Sequence, residues 1–222
     1  MTAQLAFDLP ALEAWTRADF FPSPANAAAL HAVEGWRDWP GGRLLLLGPS
    51  GSGKTHLAHI WATEVGAIWL SPASLGESLA NIAADAQVIV DGAQTVAGQA
   101  ETDLFHLYNR LNPNGFLMLT ASTAPRDWGL GLPDLLSRLQ AMPVARLDAP
   151  DDALLAAVLV KLLADRQITA PSNLIPYLLP RMERSIAAAR AVVAALDVRS
   201  LATQRPITRQ LAAEVLDLDA PE

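Results

Sequence analysis

The sequence contains no cysteine, which excludes disulfide scaffolds, thiolate metal sites and cysteine nucleophiles. No apolar run approaches the roughly 18 residues that a membrane-spanning helix needs. The opening residues, MTAQLAFDLP, have neither a basic leading segment nor a long apolar stretch, so no secretory signal is expected. Basic clusters are missing too: 16 Lys and Arg stand against 23 Asp and Glu, a formal charge of −7. Neutralising nucleic-acid phosphates takes clustered cations, so autonomous nucleic-acid binding is disfavoured, a local basic patch excepted. There is no internal repeat, low-complexity tract or long linker. These absences are compatible with a cytoplasmic protein that has no membrane partner. Apolar residues are plentiful, at 51% of 222, which is ample for one large domain or a core with a small appendage.

The most informative stretch is residues 48–55, GPSGSGKT, a complete G-x-x-x-x-G-K-[ST] phosphate loop directly behind the apolar run Leu44 to Leu47. A buried strand leads into the loop, and the helical pattern from Thr55 through His56 to Ala62 leaves it. Gly48, Gly51 and Gly53 let the backbone curl so that its N–H groups face phosphate oxygens, aided by the helix N-terminus. Pro49, Ser50 and Ser52 complete the loop. Lys54 would reach the β- and γ-phosphates, and the Thr55 hydroxyl would ligate Mg²⁺.

Five strands are expected, at 43–47, 67–70, 87–91, 116–120 and 143–147, separated by helices at 54–64, 72–84, 99–111 and 133–140. That spacing is of βαβ units, so the fold class is α/β, with a parallel sheet covered by helices on both faces. After Pro150 the strand signal stops. Helices at 151–166, 172–181, 183–203 and 207–218 then read as a small bundle.

Gln87 to Asp91 is an apolar strand that ends in an acid. Beside a phosphate loop such an Asp holds Mg²⁺ through water; elsewhere it is a turn former. The next residue is Gly92, where an ATPase of this type usually carries a second acid, so weak intrinsic hydrolysis is expected. Arg138 is the one cation in GLGLPDLLSRL, and reads either as a solvated surface residue or as a finger reaching a neighbour's γ-phosphate.

The stretch from Val88 to Leu139 resembles the DnaA-like AAA+ family. LFHLYNRL, the TA-x-x-x-P segment and GLPDLLSRL are its distinctive parts, and the likeness runs from about residue 20 to 218. The resemblance implies a P-loop AAA+ core over 11–149, an α-helical lid over 150–222, and ADP or ATP with Mg²⁺ as ligands. Gly48 to Thr55, with the adjoining His56, match the Walker A loop, and Asp91 matches the Walker B acid. Thr55 and Asp91 would be the metal ligands. Ser122 stands at the sensor 1 position, usually Asp or Asn, and carries no charge. Arg138 matches the family's arginine finger. Arg184 aligns with the sensor 2 arginine, or is an ordinary surface arginine. Phe20 and Phe21 lie where the family's lead-in approaches the adenine, or are core residues.

Two features differ from the initiator. The sequence ends at Glu222, so no C-terminal DNA-reading domain is expected. It also begins Gln4-Leu5-Ala6-Phe7-Asp8-Leu9, over 1–10, which resembles the short motif for binding the DNA polymerase III sliding clamp. An extended chain puts Leu5, Phe7 and Leu9 on one face; the alternatives are a loose terminus or a strand added to the core. The implied function is a regulator that binds the clamp, reaches DNA through it, and promotes hydrolysis of DnaA-bound ATP. The alternative is an adaptor without that activity. Gly92, and the lack of an evident second-substrate site, disfavour a self-sufficient ATPase or small-molecule kinase. Nucleotide-dependent self-association stays open.

Overall fold

The computed structural model describes residues 15–218. The segment carrying Gln4, Leu5, Phe7 and Leu9 therefore lies outside the described residues. Five strands form one parallel sheet: β1 (Arg43–Leu47), β2 (Ile68–Leu70), β3 (Gln87–Val90), β4 (Phe116–Ala121) and β5 (Val144–Arg146), in the order β2-β3-β4-β1-β5. This is the α/β P-loop architecture that the strand and helix spacing predicts. The register Leu47↔Ala121 and Val90↔Leu119 brings the C-terminal ends of β1, β3 and β4 side by side.

Alternate residues of each strand face opposite ways, and both faces are covered. Leu44, Leu46, Ile89 and Met118 pack against α1 (Ala27–Glu34) and α2 (Lys54–Val65), notably Leu30, Val33, Leu57 and Trp61. Leu45, Val88, Val90, Leu117 and Leu119 pack against α3 (Leu75–Leu79), α4 (Gln99–Arg110) and α5 (Pro133–Gln140) through Leu75, Leu104, Leu107, Leu135 and Leu139. Helix α2 starts after Gly53 and stops at Gly66, both in the left-handed region that suits a residue without Cβ.

The helix expected at 72–84 is much shorter. Ser71 and Ser74 cap a 3₁₀ turn that runs into α3, which ends at Leu79. Beyond it the backbone bonds to other segments: the Ala84 and Ala86 carbonyls accept from Asn112 and Phe116, and Ile82 is buried in the core. After Leu79 the chain leaves the helical path through tight turns, Asn81 N to Ser78 O and Ile82 N to Leu79 O, and then pairs with the lead-in to β4, so tertiary pairing overrides local propensity.

Four further helices, α6 (Asp152–Asp165), α7 (Leu174–Leu178), α8 (Ile186–Thr203) and α9 (Arg209–Leu218), surround a third apolar cluster. Leu155, Leu159 and Leu163 form its α6 stripe, and Ala189, Val193 and Leu196 its α8 stripe, at helical spacing. Among the described residues no helix is long and apolar enough to cross a membrane.

One buried cation ties β1 to the end of α4. The Arg43 guanidinium donates to the carbonyls of Leu111 at 2.8 Å and Gly115 at 2.9 Å, with longer bonds to Tyr108 and Gly42. It caps the last carbonyls of α4 from the neighbouring strand. Arg43→Met should lower the unfolding free energy by about 3 kcal/mol in a urea titration, because these carbonyls lose their donor. A loss below about 0.5 kcal/mol would mean that water satisfies them instead.

Candidate functional site

The phosphate-loop sequence folds at the C-terminal end of β1, where parallel sheets commonly form their ligand crevice. Three glycines carry the curl. Gly51 and Gly53 have φ of 71° and 101°, and a Cβ on Gly48 would lie 2.4 Å from the Leu147 carbonyl oxygen. Pro49 and Ser50 are exposed, and Ser52 is buried with no partner for its hydroxyl. Lys54 folds back over the loop, its Nζ donating to the Gly48 and Pro49 carbonyls at 2.7 and 2.8 Å. Burial lowers its pKa, and the Asp91 carboxylate opposes that shift. The lysine is thus held above the loop by acceptors that an anion could replace. Thr55 is half-buried in the first turn of α2.

Asp91 follows β3 and is fixed on two sides. Its N–H donates to Leu70 O at 2.9 Å, and Oδ1 accepts from the Thr120 hydroxyl at 2.5 Å. The same Thr120 oxygen accepts from Gly92 N at 2.9 Å. Thr120 was not singled out by sequence, because a Thr inside an apolar strand looks like ordinary strand filling. Ser122 lies just past β4, exposed, with its N–H donating to Gln94 Oε1 at 3.3 Å. It borders a cleft of about 350 Å³ with Gly48, Pro49, Arg126, Arg146 and Asp148.

A second cleft, about 180 Å³, lies across the loop and is lined by Trp15, Gly51, Gly53, Lys54, Thr55, His56, Ile186, Ala187 and Arg190. It forms because α8 starts on the loop. Ile186 N donates to Gly51 O at 2.9 Å, and Ser185 caps α8 by accepting from Ala188 N at 3.0 Å. The N-termini of α2 and α8 therefore meet at residues 51–55, and both favour negative charge there. Aromatic rings close the far side. Trp15 stacks on His59 at 5.3 Å, with Arg190 4.5 Å above the Trp15 ring. Phe20 is buried, with its ring against His56, while Phe21 is only half-buried; both are lead-in residues. Of the two readings of Phe20, the core one describes its packing.

Arg184 is not brought into either cleft. Its guanidinium is exposed and bonds the Asp152 carboxylate, because residue 184 precedes the α8 cap and points to the start of α6. The arginine that lines the second cleft is Arg190, one turn into α8. Sequence reasoning passed it over because nothing local marks which face of an Ala-rich helix meets the loop. Arg138 also borders neither cleft. It is exposed near the end of α5, with its guanidinium carbon 5.5 Å from the ring centres of Phe105 and Tyr108.

No family model matches the chain. Among solved structures it is similar to domain III of the replication initiation protein DnaA from Thermotoga maritima, at 21% identity and TM-score 0.78, covering 91% of this chain and 95% of that one. AMPPCP-bound DnaA from Aquifex aeolicus matches at 16% identity and TM-score 0.72, over 85% of this chain and 66% of the other. A RuvB variant from Thermotoga maritima matches at 16% identity and TM-score 0.68, over 87% and 69%. At such identities the likeness is one of fold: a five-stranded parallel α/β sheet followed by a small helical bundle.

His56 makes the site sensitive to acid. Burial lowers its pKa below the ordinary 6.5, Arg190 and His59 push the same way, and its bond to Thr16 O and the Asp19 charge oppose them. The folded state favours neutral His56, so this contribution is present above the unfolded value and is lost as pH falls through the folded one. Melting temperature should therefore fall between about pH 7.5 and about pH 5.5, and His56→Gln should show a smaller fall. Equal falls in both proteins would assign the acid sensitivity to other groups.

Proposed function

We propose that this chain is a nucleotide-bound, DnaA-like AAA+ regulator of replication initiation of the Hda type, acting in trans on ATP held by DnaA. The observation that carries this reading is an asymmetry. The chain has a complete phosphate loop with Gly92 in place of a second acid, while its candidate finger Arg138 borders neither cleft and has no carboxylate partner among the described residues. Likeness in fold to DnaA domain III, and to DnaA structures that hold AMPPCP, supports it.

On this reading Gly48 to Lys54 cradle the phosphates of ADP or ATP, with Lys54 exchanging two loop carbonyls for phosphate oxygens. Thr55 and Asp91 would hold Mg²⁺, which supplies charge neutralisation between the phosphates. Among the described residues no group of three or more His, Cys, Asp or Glu could hold a metal. One hydroxyl and one carboxylate suit Mg²⁺, which completes its shell from phosphate and water. Thr120 orients Asp91 for that task, and Ser122 senses the phosphate end without charge. Arg190, rather than Arg184, is the helical-lid cation at the nucleotide, and Trp15 and His56 bound the far side of its pocket. Arg138 completes the neighbour's site, and the Gln4–Leu9 tail brings the chain to the sliding clamp and so to DNA.

Lys54→Ala should weaken ATP and ADP binding and remove the rise in melting temperature that nucleotide gives the parent. In single-turnover assays of ATP preloaded on DnaA with clamp-loaded DNA, Arg138→Ala should lose at least about 10²-fold of the stimulation, and Arg138→Lys nearly as much. Full stimulation by Arg138→Ala would overturn the finger role of Arg138, and no stimulation by the parent chain would favour the adaptor reading. Clamp binding should disappear in Gln4→Ala with Phe7→Ala while nucleotide affinity is kept; a calorimetric titration showing retained clamp affinity would place that contact elsewhere.

A further inference from the structure

Arg138 is held by rings rather than by a carboxylate. Arg17 and Arg205 lie on carboxylates, whereas Arg181 and Arg209 share the Tyr177 ring. Arg138 lies over the Phe105 and Tyr108 rings at 5.5 Å from each. A ring face attracts the charge but offers no oxygen lone pair, so the planar fork of N–H donors is left for an anion from outside. Both rings come from α4, three residues apart and thus on one helix face.

The same face grips the other end of α5. Glu101, one turn before Phe105, is a buried carboxylate whose Oε1 accepts from Leu132 N at 2.5 Å. Leu132 is the N-cap of α5, so the negative charge sits at the positive end of the α5 dipole. Between the two grips, Leu135 and Leu139 are buried in the core and fix the roll of α5. Tyr108 is itself held from the sheet side, since the Arg43 guanidinium carbon lies 5.1 Å from its ring centre.

We infer that the Glu101–Phe105–Tyr108 face of α4 is the device that positions Arg138, fixing α5 at its start and presenting the guanidinium on two rings with its donors free for the triphosphate of a second P-loop protein. The inference rests on the trans reading of Arg138. Phe105 and Tyr108 are positioning residues that act through Arg138 and touch no substrate. An arginine left to wander would dock on the same partner yet deliver its charge to the phosphate less often, so the maximal rate suffers rather than the association.

The test is the stimulated single-turnover hydrolysis of ATP preloaded on DnaA, measured over a range of this chain's concentration. Phe105→Leu with Tyr108→Leu should cut the maximal rate by at least about tenfold with half-saturation unchanged, and the exchange Phe105→Tyr with Tyr108→Phe, which keeps both ring faces, should restore it. Should the double leucine variant fail to fold, as read from melting and from its own ADP affinity, single Phe105→Leu and Glu101→Leu decide, each expected to lower the maximal rate. Arg138→Ala is run alongside. If it loses stimulation while the ring variants keep it, this inference is overturned and the trans reading stands. If it keeps full stimulation, the trans reading is overturned and this inference goes with it. A change confined to half-saturation would make the rings part of a docking surface, which also overturns the inference.

Discussion

A loop can turn its N–H groups inward only if nothing bulkier than hydrogen stands at its turning points, and that constraint spreads outward from residues 48–55. Gly48 abuts the Leu147 carbonyl, so the chain leaving β5 is seated directly on the loop. A Cβ on Gly51 would come within 2.6 Å of the Ser185 Cβ, so the start of α8 is seated on it too. Because Gly51 O also accepts from Ile186 N, loop and helix are joined through backbone atoms that leave no room for a side chain. The third apolar cluster, around α6 to α9, is thereby referenced to the sheet through the same few residues that would hold a phosphate. A ligand in the loop would act on both at once.

The electrostatics agree with that geometry. Two helix N-termini, the Lys54 ammonium and the Arg190 guanidinium converge on one face of the loop, whereas the chain as a whole is acidic. Concentrating positive potential locally in a net-negative molecule favours a small, highly charged anion over a long polyanion. Lys54 is already half-desolvated, which lowers its pKa, and an anion would reverse that penalty by restoring a charged partner. The salt links at the rim, such as Lys161 to Asp19 at 3.1 Å between α6 and the lead-in, are partly exposed and contribute little beyond orientation.

The strands were legible because each is a short apolar run delivered at βαβ spacing, and a run such as Leu44 to Leu47 can only be buried on both faces. The loop was legible because its glycines, Lys54 and Thr55 are adjacent in the chain. What was not legible depends on contacts between distant segments. Thr120 gains its role from Asp91, 29 residues away, and nothing in FLMLTA marks it. Arg184 and Arg190 sit six residues apart in a stretch where the start of α8 decides which one faces the loop, and sequence alone does not fix that start to within a turn. Trp15 gains its place from His59 and Arg190, both far along the chain. The overlong helix at 72–84 fails for a related reason, since local propensity was outbid by backbone pairing to residues 112 and 116.

On the proposed reading, Gly92 explains how a site could hold a nucleotide without turning it over. Its φ of 75° lies in the left-handed region, and a Cβ there would meet nothing within 4 Å. Space is therefore not what excludes an acid; the backbone is, since an L residue in that conformation costs about 1 kcal/mol relative to glycine. The same peptide donates to Thr120, which in turn holds Asp91. A larger residue at 92 that relaxed to an ordinary φ would pull on the hydroxyl that orients Asp91. Holding Asp91 through a glycine turn and placing a base beside it are thus competing demands on one peptide. On the proposed reading the chain resolves them in favour of binding, and the rate-enhancing group is the exposed Arg138, whose effect falls on another molecule's nucleotide.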